Sequence, residues 1–113
     1  MSLLVKLFET MFPVWWFGPK AVKALDAMKV GMKSDLYRGK DVMIKVQYDR
    51  DGKKYFVVHL KKLSADRSSF YWYYDKFEVV DDTVEGSNPI RNTDKALKLV
   101  KQGKYPDSFN VKQ

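Results

Sequence analysis

Leu3, Leu4, Leu7, Phe8 and Met11 recur at spacings of three and four, with Lys6, Glu9 and Thr10 off the stripe. That period predicts an amphipathic helix over residues 2–12, about three turns long, which Pro13 ends or bends. Gly18-Pro19 punctuates the chain next. Pro19 suits the first position of a second helix, where its missing N–H has no intrahelical partner to lose. Ala21, Val22, Leu25 and Met28 form that helix's apolar stripe, and Gly31 is its stop.

From residue 29 to residue 80 the period changes to two. Val42-Met43-Ile44-Lys45-Val46-Gln47-Tyr48 alternates, and Lys54-Tyr55-Phe56-Val57-Val58-His59-Leu60 is rich in strand formers. A three-residue loop of Arg50, Asp51 and Gly52, with Gly52 left-handed, closes them into a hairpin. It pairs Val46 with Phe56, Ile44 with Val58 and Val42 with Leu60, so that six apolar side chains share one face. A two-residue Asp51-Gly52 turn would set Ile44 against His59 and bring Lys61 into the core. Burial therefore selects the first register and turns Lys45, Gln47, Tyr55, Val57 and His59 outward.

Met32 to Tyr37 reads as one more strand before an Arg38-Gly39 turn. After the polar loop 64–69 come five successive aromatics, Phe70-Tyr71-Trp72-Tyr73-Tyr74. Alternation puts Phe70, Trp72 and Tyr74 on one face, which their shared bulk assigns to the core, and Tyr71 and Tyr73 on the other. Asp75-Lys76 marks a bulge or turn before a short final strand, Phe77-Glu78-Val79-Val80. Beyond the polar stretch 81–89, Asn92 or Thr93 caps a short helix carrying Ala96, Leu97 and Val100, which Gly103 ends. Residues 104–113 lack periodicity.

The expectation is a single α+β domain over residues 1–113: a helical segment 1–28, a β core 29–80, and a C-terminal extension 81–113 with one short helix. Four to five short strands with tight turns suggest a small antiparallel barrel or a strongly bent sheet. At 113 residues, 45% of them hydrophobic and 15% aromatic, such a domain needs no metal or disulfide to stand.

Lys29-Val30-Gly31-Met32-Lys33, Tyr37-Arg38-Gly39-Lys40-Asp41-Val42, the hairpin, and Trp72-Tyr73-Tyr74-Asp75-Lys76-Phe77-Glu78-Val79-Val80 together resemble the small SH3-like barrels. KOW-type and Tudor-like domains belong to that group, as do short phage-encoded proteins closing on a Trp/Tyr-rich strand. The resemblance spans residues 29–80. It departs from the KOW pattern where Asp41-Val42 follows Gly39-Lys40 in place of a second glycine. It implies a barrel fold and a binding module, and it transfers no ligand residue.

Charge and chemistry narrow the function. There is no cysteine and a single histidine, so a usual zinc site or thiol nucleophile is excluded. The six glycines are isolated and make no phosphate loop. Nothing selects an enzyme, and no cofactor or metal is implied. The formal charge is +7, and +4 of it falls between residues 31 and 80, where eleven basic residues meet seven acidic ones.

The leading expectation is nucleic-acid binding, DNA or RNA, with cations tracking phosphates beside aromatics that stack bases. The candidates are Lys45, Arg50, Lys53, Lys54, Tyr55, Lys61, Lys62, Arg67, Tyr71 and Tyr73; for the last two, core and contact roles both stay open. The alternative is a protein-interaction module that modulates a host factor or joins an assembly through Phe12, Trp15, Trp16 and Phe17. Those aromatics pack on the barrel, form an interface with a host or self protein, or lie on a membrane surface. The membrane reading is the weakest, because the adjoining helix has little basic character. With no secretory pattern at the N-terminus, a cytoplasmic setting is expected, in a host cell if the protein is viral.

Overall fold

The computed structural model describes residues 16–104. Residues 16–27 are helical (α1), followed by β1 (Lys33–Arg38), β2 (Val42–Tyr48), β3 (Lys54–Leu63), β4 (Phe70–Asp81), β5 (Asn88–Pro89) and β6 (Lys95–Lys104). The six strands form one antiparallel sheet in the order β1-β2-β3-β4-β6-β5. β1 and β5 are its edges and the sheet does not close on itself, so the architecture is an open sheet with one helix. The expected helix 2–12 and the tail 105–113 lie outside the described residues. No described helix is long and apolar enough to cross a membrane.

The β2–β3 hairpin takes the register that burial selects: Val42 opposite Leu60, Ile44 opposite Val58, Val46 opposite Phe56. Its tip closes as a three-residue loop. The Asp49 N–H donates to the Lys53 carbonyl at 2.8 Å, and Gly52 sits at φ +87°, a conformation that disfavours any side chain with a Cβ.

This apolar face is the core. Ile44, Val46, Phe56 and Val58 are fully buried there, and Phe77 and Leu97 extend it across β4 and β6. Ala21 and Leu25 of α1 close it from above. The helix comes near because of Gly18: a Cβ there would stand 3.1 Å from Ile90 Cγ2. Lys54 and Asp26 tie helix to sheet at 3.5 Å. Pro19 lies inside the helical run rather than at its first position, as residues 16–18 are already helical.

Two further expectations are overturned. The first concerns the aromatic run, whose faces are exchanged. Leu63 pairs with Phe70 and Leu60 with Tyr73, so Tyr71, Tyr73, Asp75 and Phe77 share the core-side face. Phe70, Trp72 and Tyr74 stand on the opposite one, and Phe70 is 63% exposed. The loop decides this. Asp66 accepts from the Ser64 and Ser68 hydroxyls at 2.6 and 2.7 Å and from the Ser68 N–H at 3.0 Å. Ser64 N–H meets the Ser69 carbonyl at 2.9 Å, and the parity of β4 then follows from strand geometry. β4 also runs through Asp75-Lys76 without a turn, although its pairing with β6 shifts register between Lys76 and Phe77.

The second correction is the C-terminal helix, which does not form; residues 95–104 are β6. Asn92 and Thr93 build a tight turn between β5 and β6 instead of a cap. Asn92 is left-handed at φ 63°, and the Thr93 hydroxyl donates to the Ile90 carbonyl at 2.8 Å. Asn and Thr serve turns and caps by the same side-chain hydrogen bonding. The free edge of β4 offers a ladder of partners, and Leu97 reaches the core as well from a strand as from a helix.

Candidate functional site

The face of the sheet opposite α1 is built from the alternate residues of five strands, and the register arranges them in cross-strand rows. One row reads Lys33, Gln47, Tyr55, Glu78, Lys98. The next reads Asp35, Lys45, Val57, Lys76, Lys101, and a third reads Met43, His59, Tyr74, Gly103. The middle row carries the signal. Lys76 and Lys101 are direct neighbours, and Lys45 is separated from Lys76 only by Val57. Like charges opposite one another destabilise a ladder, whereas Lys45 faces Asp35 at the β1 end of the row.

The rows enclose a cleft of about 360 Å³. Lys33, Lys45, Lys76 and Lys101 line it together with Val57, His59 and Tyr74, and no carboxylate is among its lining residues. Among the described residues none of these four lysines is ion-paired. Lys76 lies over the Tyr55 ring, 4.2 Å from its centroid, which holds the ammonium beside the cleft without neutralising it. Val57 and His59 face this side, as the hairpin register predicts, yet both are buried, at 9% and 7% exposure.

Burial first, and then the charge of Lys45, push the His59 imidazole down to about 4, with Asp35 acting in the opposite sense. The ring is therefore neutral at physiological pH, and the positive charge of the site belongs to its lysines. Burial also raises the Tyr55 phenol above its ordinary value, so it remains a neutral hydroxyl.

No family model, characterised protein or solved structure matches this chain significantly. What the site can do follows from its own geometry.

The ten residues singled out from the sequence do not form one patch. Lys45, Tyr55 and Lys61 lie on the cleft face, with Lys61 over the Phe70 ring at 4.9 Å. Lys54, Lys62, Tyr71 and Tyr73 belong to the helix-side face. There Lys54 pairs with Asp26, Lys62 covers Tyr73 at 4.4 Å, and Lys104 covers Tyr71 at 4.7 Å. Arg50 and Lys53 sit at the hairpin tip and Arg67 in the loop at the other end of β3, ~30 Å away for a ten-residue strand. Of the aromatic quartet, Phe12 and Trp15 lie outside the described residues. Trp16 is 60% exposed, whereas Phe17 packs on Tyr37 with centroids 5.4 Å apart.

Lys33, Lys76, Lys101 and Tyr74 are not visible as a group in the sequence. They come from three different strands, and Lys101 lies in the segment whose capping residues imitate a helix. The available signal is alternation through Lys76: once Phe77 is placed in the core, Lys76 must share the face of Lys45.

Proposed function

We propose that the cleft face of the sheet binds a single-stranded nucleic acid, DNA or RNA, without catalysing a reaction. The observation that supports this most directly is the row Lys45, Val57, Lys76, Lys101. Three cations, with Asp35 opposite Lys45 at the β1 end of the row, share a sheet face with Tyr55, Trp72 and Tyr74. Cations that follow a phosphate backbone beside aromatic side chains that stack on bases give sequence-tolerant binding of single strands. A duplex hides the faces of its bases and gains from the lysines alone.

Within this proposal residues 29–80 are an SH3-like strand set whose working surface is the outer face. A phage-encoded protein acting in the host cytoplasm is the setting that the resemblance implies. The alternative of a protein-interaction module draws on one observation, the 60% exposure of Trp16.

Fluorescence anisotropy with a labelled oligothymidine, measured across a salt series, tests the proposal. Neutralising about four phosphates on a single strand gives a slope of log affinity against log salt near −3. Absence of binding at low salt, or affinity indifferent to salt, removes the reading.

A further inference from the structure

We infer that the end of the sheet where β3 passes into β4 docks on an anionic lipid bilayer, with Leu63 and Phe70 entering its interface and a ring of cations at the headgroups. This goes beyond the nucleic-acid reading, since it concerns the strand ends and not the row Lys45, Val57, Lys76, Lys101.

Charge is the first observation. Antiparallel order brings the turns 39–41 and 64–69 to one end of the sheet, together with the close of β6. The Lys61 N–H donates to the Asp41 carbonyl there at 2.8 Å. Taking these turns, the three strand residues on either side of each and the last three of β6, this end holds Arg38, Lys40, Lys61, Lys62, Arg67 and Lys104 against Asp41 and Asp66. The same selection at the opposite end, over 33–35, 46–56 and 79–97, holds six basic residues and seven acidic ones. A molecule polarised in this way turns its basic end toward a negative surface.

The second observation is an apolar pair inside that ring of charge. Leu63 and Phe70 are cross-strand partners at the last rung of the β3–β4 ladder, and they are 45% and 63% exposed.

The third is what the lysines do with the rings beside the pair. Lys61 lies over Phe70, Lys62 over Tyr73 and Lys104 over Tyr71, each within 4.9 Å of the ring centroid, and Trp72 stands across the ladder from Lys61. Aromatic rings beside lysines that keep their ammonium groups in water make up the belt of a membrane interface. A nucleic acid needs ring faces for its bases, and three of the rings here already carry an ammonium. A lipid surface makes no such demand.

The full chain is sedimented with vesicles of phosphatidylcholine alone and of phosphatidylcholine and phosphatidylserine in a two-to-one ratio. Only the anionic vesicles are expected to carry it down, and less of it as salt rises. Arg67→Glu should weaken this by about fivefold or more, the worth of a cation at an anionic surface. Arg91→Glu makes the same change of charge in the β5–β6 turn at the other end, ~30 Å away and beyond the ~8 Å Debye length, and should leave binding within about twofold. Phe70→Ser should weaken it by about tenfold or more with an unchanged melting temperature, since the ring is exposed, and Phe70→Trp should retain it.

Equal sedimentation with neutral vesicles, or none with anionic ones at low salt, overturns the inference. So does an Arg91→Glu loss that equals the Arg67→Glu loss, because the attraction then belongs to the whole chain's charge. Phe70→Ser without effect also overturns it, as the apolar pair then has no part. If Phe70→Ser and Arg67→Glu spare the vesicles and weaken oligothymidine instead, this end serves the nucleic acid and the inference falls. Oligothymidine binding is measured separately on the same chain, so the two proposals fail independently.

Discussion

Lys76 on β4 and Lys101 on β6 face each other directly across the antiparallel ladder, so two ammonium groups occupy one register position. Like charges opposed in this way cost the ladder stability.

Replacing Lys101 with Glu turns the repulsive pair into an attractive one. The variant is expected to be more stable by about 0.5 kcal/mol, a rise in melting temperature of roughly 2–4 °C, while oligonucleotide affinity falls by about tenfold or more. Thermal unfolding and anisotropy measured on the same preparation check the two effects. A variant that loses stability, or keeps its affinity, removes the functional meaning of the pair.

Acid should expose the cost of burying His59. Above about pH 6.5 the imidazole is neutral in both folded and unfolded chains, and its contribution to stability is complete. As the pH falls from there toward 4, the unfolded chain takes up a proton that the folded one refuses. Stability is therefore lost across that window, by something on the order of 2 kcal/mol. Urea unfolding at pH 7.5, 5.5 and 4.5 should show a shallower decline for His59→Gln than for the native chain. Parallel declines would refute the assignment.

Leu25 is 1% exposed where α1 meets the sheet. Leu25→Ala is expected to lower stability by about 2–5 kcal/mol, whereas Asp26→Ala, which breaks an exposed ion pair with Lys54, should cost under about 1 kcal/mol. Denaturant midpoints compare them. Similar losses at the two positions would mean that the helix is held by charge and not by burial.

Gly52 at φ +87° and Asn92 at φ 63° both hold the chain in the left-handed region. Gly52→Ala should destabilise by about 1–2 kcal/mol, and no neighbouring atom lies within 4 Å to confuse the result with a clash. Asn92→Gly should be nearly neutral, since both residues accept the left-handed conformation. A large loss at Asn92 would show that its side chain, and not its backbone, holds the β5–β6 turn.

How far a sequence can be read depends on the distance along the chain over which each decision is made. The β2–β3 register follows from a three-residue loop and six apolar positions within about twenty residues, so the pairing of Val46 with Phe56 is legible in the amino-acid pattern. The stripe of Ala21 and Leu25 is legible for the same reason, since a helix buries the face its own period defines. β4 is not, because aromatic residues fill both of its faces and alternation alone assigns neither to the core.

The amino-acid pattern by itself determined the existence of β1 to β4, the core of the hairpin, the helix that covers it and the absence of thiol chemistry. Only the tertiary structure decided that residues 95–104 extend as a strand, that Phe70 faces solvent, and that Lys45, Lys76 and Lys101 form one row. Those outcomes depend on pairing between segments distant in the chain. The open edge of β4, the hydrogen-bonded loop around Asp66 and the register shift after Lys76 each choose between alternatives that local propensity leaves almost equal in energy.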